Sequence, residues 1–272
     1  MEHAVLFALL VTVGAGAATA VGAAIGLFAK HTNRQFLAAA LGFSAGVMIY
    51  VSFVEIFPKA ASYVGSTPGE ATAALTTAGA FLAGLAGMAV MYRLIPDLEH
   101  PDLADGAVTM PAASGQVLVK DKMLLRAGFG VALAVTLHNF PEGMATFFLT
   151  LDDPSVGLSV ALAIAIHNIP EGIAVVVPLY YATGNRKLAF GFGALSGLAE
   201  PMGAIIGYAI LQPFINDSVL GVVFAVVAGI MVYISVDSLL PAARQYGSGH
   251  TAIYGLIAGM AVMAGSLVLF AL

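Results

Sequence analysis

The chain has 272 residues, 60% of them hydrophobic and only 9% charged, with a mean hydropathy of +0.97. Soluble domains carry roughly a quarter charged residues, so a soluble globular enzyme is excluded. A net charge of -5 argues against nucleic acid as a partner, and the absence of cysteine removes disulfide frameworks and thiolate metal chemistry.

A helix needs about 20 apolar residues to cross the hydrocarbon core. Eight such stretches run along the chain: 5–28, 36–57, 73–95, 127–149, 156–180, 188–211, 219–240 and 251–271. The first reads as a retained span and not a signal peptide, because its leader Met1-Glu2-His3 carries no Lys or Arg. Lys30, Arg34, Arg93, Lys120, Lys122, Arg126, Arg186, Lys187 and Arg244 fall on connections of one parity and only Lys59 on the other, so the positive-inside rule puts both termini on the non-cytoplasmic side. The one long connection, 96–122, is rich in Pro, Asp and Gly and reads as a flexible cytoplasmic loop within a single transport domain spanning 1–272.

Three internal matches organise these spans. Ala45-Gly46-Val47-Met48-Ile49-Tyr50-Val51-Ser52, leading to Pro58, recurs without insertion or deletion as Ala228-Gly229-Ile230-Met231-Val232-Tyr233-Ile234-Ser235, leading to Pro241. Residues 86–91 recur letter for letter at 258–263, and His138-Asn139-Phe140-Pro141-Glu142-Gly143 recurs as His167-Asn168-Ile169-Pro170-Glu171-Gly172. The fold expected is therefore an all-α polytopic membrane protein of eight transmembrane helices in a 3+2+3 arrangement. Helices 1–3 are related to 6–8 and helix 4 to helix 5, each pair crossing in opposite directions. Inverted repeats of this kind belong to secondary transporters, which alternate access around a central site.

Five acidic residues lie inside spans: Glu55, Glu142, Glu171, Glu200 and Asp237, and no Lys or Arg lies well inside a span to neutralise them. A carboxylate near the bilayer centre costs roughly 2.5 to 3.5 kcal/mol on insertion scales, so it faces a partner, water or an ion. His138 and Glu142 are four residues apart, as are His167 and Glu171, so each pair projects from one helical face. Two such helices make a four-ligand cage, and imidazole with carboxylate suits borderline divalent metals such as zinc. Asn139 and Asn168 offer amide oxygens to a neighbouring position that shared glutamates bridge, and Glu200 beside Pro201 joins the same cluster. Pro141 and Pro170 deprive the carbonyls of Leu137 and Ile166 of their donors, which puts a kink beside each histidine. Glu55 and Asp237 lie nearer span ends, where a carboxylate also meets water, and the methionines at 48, 88, 231 and 260 are most simply packing. Small-residue surfaces such as 42–46, 193–197 and 203–207 pack helices within one subunit or between two, which leaves a homodimer open.

These residues resemble the ZIP (Zrt/Irt-like) family of divalent metal transporters, and within it the bacterial ZupT-like branch. The two His-Asn-x-Pro-Glu-Gly stretches are similar to the family's fourth- and fifth-span signatures, and Leu198-Ala199-Glu200-Pro201 to its sixth-span motif. The resemblance implies a binuclear site, with a first metal position at His138, Glu142, His167 and Glu171 and a second at Asn139, Glu142, Asn168, Glu171 and Glu200. It also implies that Glu55, in Phe53-Val54-Glu55-Ile56-Phe57-Pro58, binds metal in transit. It implies uptake of zinc, with iron(II), manganese, cobalt and cadmium, across a bacterial inner membrane into the cytoplasm. Metal is then a substrate and no catalytic cofactor is expected. The loop 96–122 carries a single histidine, His100, where many members are histidine-rich. The same cage also suits an intramembrane metal-dependent hydrolase or a passive metal channel, but there is no His-Glu-x-x-His and the mirrored duplication suits a carrier.

Overall fold

A computed structural model describes residues 2–28, 34–65, 69–94 and 122–271. Among these, every regular element is helical. Helix α1 covers Glu2–Phe28, and α2 (Arg34–Val51) passes through a π-helical turn, Ser52–Ile56, into α3 (Phe57–Val64). Then come α4 (Glu70–Leu94), α5 (Lys122–Asp152), α6 (Pro154–Thr183) and α7 (Arg186–Leu211). Helix α8 (Asp217–Ile234) passes through a second π-helical turn, Ser235–Leu239, into α9 (Leu240–Tyr246), and α10 covers Thr251–Ala271. The loop read at 96–122 lies outside the described residues except for Lys122, which opens α5.

Among the described residues, seven stretches are long and apolar enough to cross a membrane: Glu2–Phe28, Gln35–Val64, Glu70–Leu94, Pro154–Thr183, Arg186–Phe214, Asp217–Tyr246 and Thr251–Leu269. Large apolar side chains stand exposed along them, among them Leu10, Leu75, Leu195, Ile210 and Leu269. In water such a surface is a liability, whereas in lipid it is the expected exterior. Helix α5, 31 residues long, is the other long helix and carries His138, Asn139, Pro141 and Glu142.

The two π-helical turns fall at matching places in the span-2 and span-7 sequence repeat, Ser52 against Ser235. Each precedes a proline, Pro58 or Pro241, at the second position of the next helix. Proline has no N–H and its ring crowds the carbonyl four residues back, so one widened turn relieves the clash while the chain stays helical. The N–H of Phe57 reaches Ser52 O and that of Leu240 reaches Ser235 O, bonds that skip one residue more than an α-helix allows.

Helix packing follows the small residues. α2 lies against α10, α4 against α8, α1 against α6, and α5 against α7. A Cβ on Gly46 would strike the backbone of Leu256, and one on Gly259 the backbone of Phe43; on the other side Gly229 meets Phe81 and Gly84 meets Val226. The two sets of contacts coincide when α2 is laid on α8 with Gly46 over Gly229, and α4 on α10 with Gly84 over Gly259. Buried Met88 and Met263 correspond in that same register. The identical hexapeptides at 86–91 and 258–263 would instead set Met88 against Met260, so that letter match does not carry over as the structural match. Ala/Gly/Met helices repeat letters easily, and a three-residue slip leaves much the same helical face inward, so sequence identity alone mis-sets the register.

Candidate metal centre

Three helices bring the polar residues together. α5 supplies His138, Asn139 and Glu142, α6 supplies His167, Asn168 and Glu171, and α7 supplies Glu200; their exposure is 2% for His138 and 0% for the other six. The i,i+4 spacing does what the sequence requires, setting each His one turn from its Glu on a shared face. Both helices run without interruption through Pro141 and Pro170. Close approach depends on the glycine that ends each motif: a Cβ on Gly143 would collide with the backbone of Glu200, and one on Gly172 with the backbone of Thr19.

The histidines cross over. His138 Nε2 lies 3.1 Å from Glu171 Oε2, and His167 Nε2 lies 3.4 Å from Glu142 Oε1, so each imidazole meets the carboxylate of the other helix. The second contact is an ion-pair distance without hydrogen-bond geometry, for His167 Nε2 and both Glu142 oxygens have no hydrogen-bond partner. Donor atoms of Glu142, His167 and Glu171 all lie within 4.8 Å of one another. Glu171 Oε1 accepts a hydrogen bond from Ser44 on α2 at 2.8 Å. Asn139 Nδ2 donates to Ser196 O at 3.0 Å, and Asn168 Nδ2 donates to Ala15 O at 2.9 Å and to Glu200 Oε1. Both amide oxygens and Glu200 Oε2 are left without partners. Buried polar atoms are nearly always paired, so this many unpaired lone pairs in one place is exceptional. Among the described residues no Lys or Arg forms a salt bridge to them, and the one Lys or Arg salt bridge is that of Lys59 with Asp152.

Glu55 is not brought into this cluster. It sits half-buried in the Ser52–Ile56 turn, eleven residues beyond Ser44, or about 16 Å along a helix at 1.5 Å per residue. Asp237 occupies the Ser235–Leu239 turn, also half-buried. His100 lies outside the described residues.

The family model described as ZIP Zinc transporter matches residues 108–267, more than half of the chain and all of the polar cluster. The chain belongs to the ZIP family. Its similarity to single ZIP proteins runs nearly end to end. It is 52% identical to the zinc transporter ZupT of Nitratidesulfovibrio vulgaris, with 98% of each chain covered. It is 49% identical to that of Clostridium perfringens, with 98% of this chain and 96% of the relative covered, and 52% identical to that of Oceanobacillus iheyensis, with 98% of each covered. The ZIP fold here is that of a multi-pass membrane protein. Two neighbours of the cluster escape a reading of the sequence, Ser44 and Thr19. Each is a single hydroxyl in an apolar helix, and only packing distinguishes it from a side chain bonded to its own backbone.

Proposed function

We infer that this ZIP protein carries divalent cations, zinc foremost, across a membrane through the cluster on α5, α6 and α7. The observation that carries this is the complete burial of Glu142, Glu171 and Glu200 beside His138 and His167 with no Lys or Arg paired to them among the described residues. Burying an unpaired carboxylate is costly, and a divalent cation offsets that cost with charge and coordination together. His138, Glu142, His167 and Glu171 hold one position; Asn139, Asn168 and Glu200, with the shared glutamates, hold the adjacent one. Zinc is supported by the relatives' name and by the imidazole/carboxylate donors. The same donors accept iron(II), manganese, cobalt and cadmium, which differ from zinc in coordination number more than in ligand type.

With α5 as the eighth crossing, the helices fall into the 3+2+3 inverted arrangement, and the repeated glycine contacts support it. α1, α5, α6 and α7 then form one group and α2, α4, α8 and α10 the other. A hydrated cation enters at the non-cytoplasmic face, where both termini lie, passes Glu55, exchanges water for the buried donors and leaves into the cytoplasm when the two groups reorient. The membrane we propose is a bacterial inner membrane. Imidazole and carboxylate must be deprotonated to bind metal, so uptake falls as the pH is lowered. No catalysis is assigned.

The test is uptake of radioactive zinc into proteoliposomes. Saturable uptake that Glu171→Ala lowers by about tenfold or more is expected, since removing a ligand costs at least what removing an outer-shell partner does. Wild-type uptake in Glu171→Ala overturns the site, non-saturating flux makes the protein a channel, and hydrolysis of a membrane substrate without uptake makes it an enzyme.

A further inference from the structure

The second cation position takes its donors in pairs: Asn139 matches Asn168, and Glu142 matches Glu171, at equal places in the two repeated motifs. Glu200 on α7 alone has no mate. The backbone contacts say where the mate stands. Gly143 meets Glu200 as Gly172 meets Thr19, and Gly203 meets Phe140 as Gly22 meets Ile169. Asn139 Nδ2 donates to Ser196 O as Asn168 Nδ2 donates to Ala15 O. All three relations hold α1 and α7 in a single register, Ala15 with Ser196 and Gly22 with Gly203, and in that register Thr19 coincides with Glu200.

Thr19 is fully buried and its hydroxyl has no hydrogen-bond partner. Thr146 is the one other buried threonine among the described residues whose hydroxyl lacks a partner, whereas Thr12, Thr77, Thr136, Thr150 and Thr183 all donate to the carbonyl four residues back. Thr19 does not, and the carbonyl it would use, Ala15 O, already accepts the Asn168 amide. Leaving a buried hydroxyl unsatisfied costs its desolvation without return, so helix geometry and packing give no reason to keep it.

We propose that Thr19 Oγ1 is the sixth donor of the second cation position, the neutral mate of Glu200. This rests on the reading of that position given above. Six donors in three matched pairs, all oxygen, favour a cation that prefers octahedral oxygen coordination, such as manganese, over zinc, which is satisfied by four ligands. A hydroxyl in place of a second Glu200-type carboxylate also withholds a fourth negative charge from the position, so that bound cargo is released.

The experiment is titration of the purified full chain in detergent with zinc chloride and with manganese chloride. Thr19→Val is expected to weaken manganese binding by about tenfold and zinc binding clearly less, with Thr19→Ser within about twofold of wild type. Thr19→Asp should bind both ions more tightly and slow uptake into proteoliposomes. A purely structural threonine would shift both metals alike, and that result overturns the proposal, as does wild-type manganese affinity in a folded Thr19→Val protein. Should Thr19→Val not fold, Thr19→Ala gives the same reading. Glu200→Gln separates the two levels: manganese binding lost there but intact in Thr19→Val overturns the threonine assignment alone. Binding intact in Glu200→Gln overturns the second position itself.

Discussion

Glu171 has both carboxylate oxygens engaged, one by His138 and the other by Ser44, while the two oxygens of Glu142 have no hydrogen-bond partner. The asymmetry arises because Ser44 comes from α2, whereas its counterpart in the repeat, Val227 on α8, has no hydroxyl to offer. A hydrogen bond to a buried charged group is worth about 1.5 to 3 kcal/mol and fixes the carboxylate rotamer. Ser44→Ala should therefore leave the fold intact and weaken zinc binding by about tenfold, read by calorimetric titration; outer-shell partners of metal ligands have effects of this size. The buried polar residues of the cluster were legible because charge in an apolar span, repeated with one spacing, is too costly to serve packing alone. Ser44 and Thr19 were not, since a lone hydroxyl in a helix ordinarily bonds to its own backbone, as Thr12 does to Ala8 O.

Element ends and close contacts decide whether α5 and α6 deliver those side chains. Asp153 caps α6, accepting from Ser155 Oγ and from the N–H groups of Ser155 and Val156. Those hydrogen bonds, Ser155's hydroxyl first, hold its carboxyl below the usual value of 3.8. A depressed folded-state pKa means the stabilisation is complete above 3.8 and is lost as the pH falls through the lower folded value. Asp153→Ala should cost about 1 kcal/mol at neutral pH, and the thermal unfolding curves of the two proteins should converge in strong acid. Gly172→Ala has a different signature: its methyl group meets the backbone of Thr19, so α1 and α6 must part, costing about 1 to 3 kcal/mol at any pH with weakened metal binding. Among the described residues seven of the eight expected spans recur as membrane-length apolar helices, with 36–57 running on to Val64 and 219–240 to Tyr246. The π-helical turns were not readable, although Pro58 and Pro241 mark them, because a proline in an apolar run reads equally as a kink or an end.

At the level of the whole molecule the sequence repeats propose which helices correspond and are silent on which touch. That α1 packs on α6 and α2 on α10 follows from glycines that face a neighbour's carbonyls, and a sequence does not say whose. Among the described residues, polar links join the helix groups in the interior, Ser44 to Glu171 and Ser159 to Ser266, and at the rim, Lys59 Nζ to Asp152 Oδ2 at 2.7 Å, where Tyr63 also donates to Asp152. The rim link ties α3 to the last residue of α5, and it must open if the groups move past each other during transport. Such a partly exposed pair is worth about 0.2 to 1 kcal/mol, so Asp152→Asn should change the uptake rate by no more than about fivefold. A covalent tie at the same place is the stronger test, and the cysteine-free chain makes it simple. With Lys59→Cys and Asp152→Cys introduced together, a short reducible bis-maleimide should stop zinc uptake into proteoliposomes, and cleaving it should restore uptake, while either single variant stays active. Full uptake in the cross-linked protein would mean that α3 and α5 travel as one body, and the division into two moving groups would have to be drawn elsewhere.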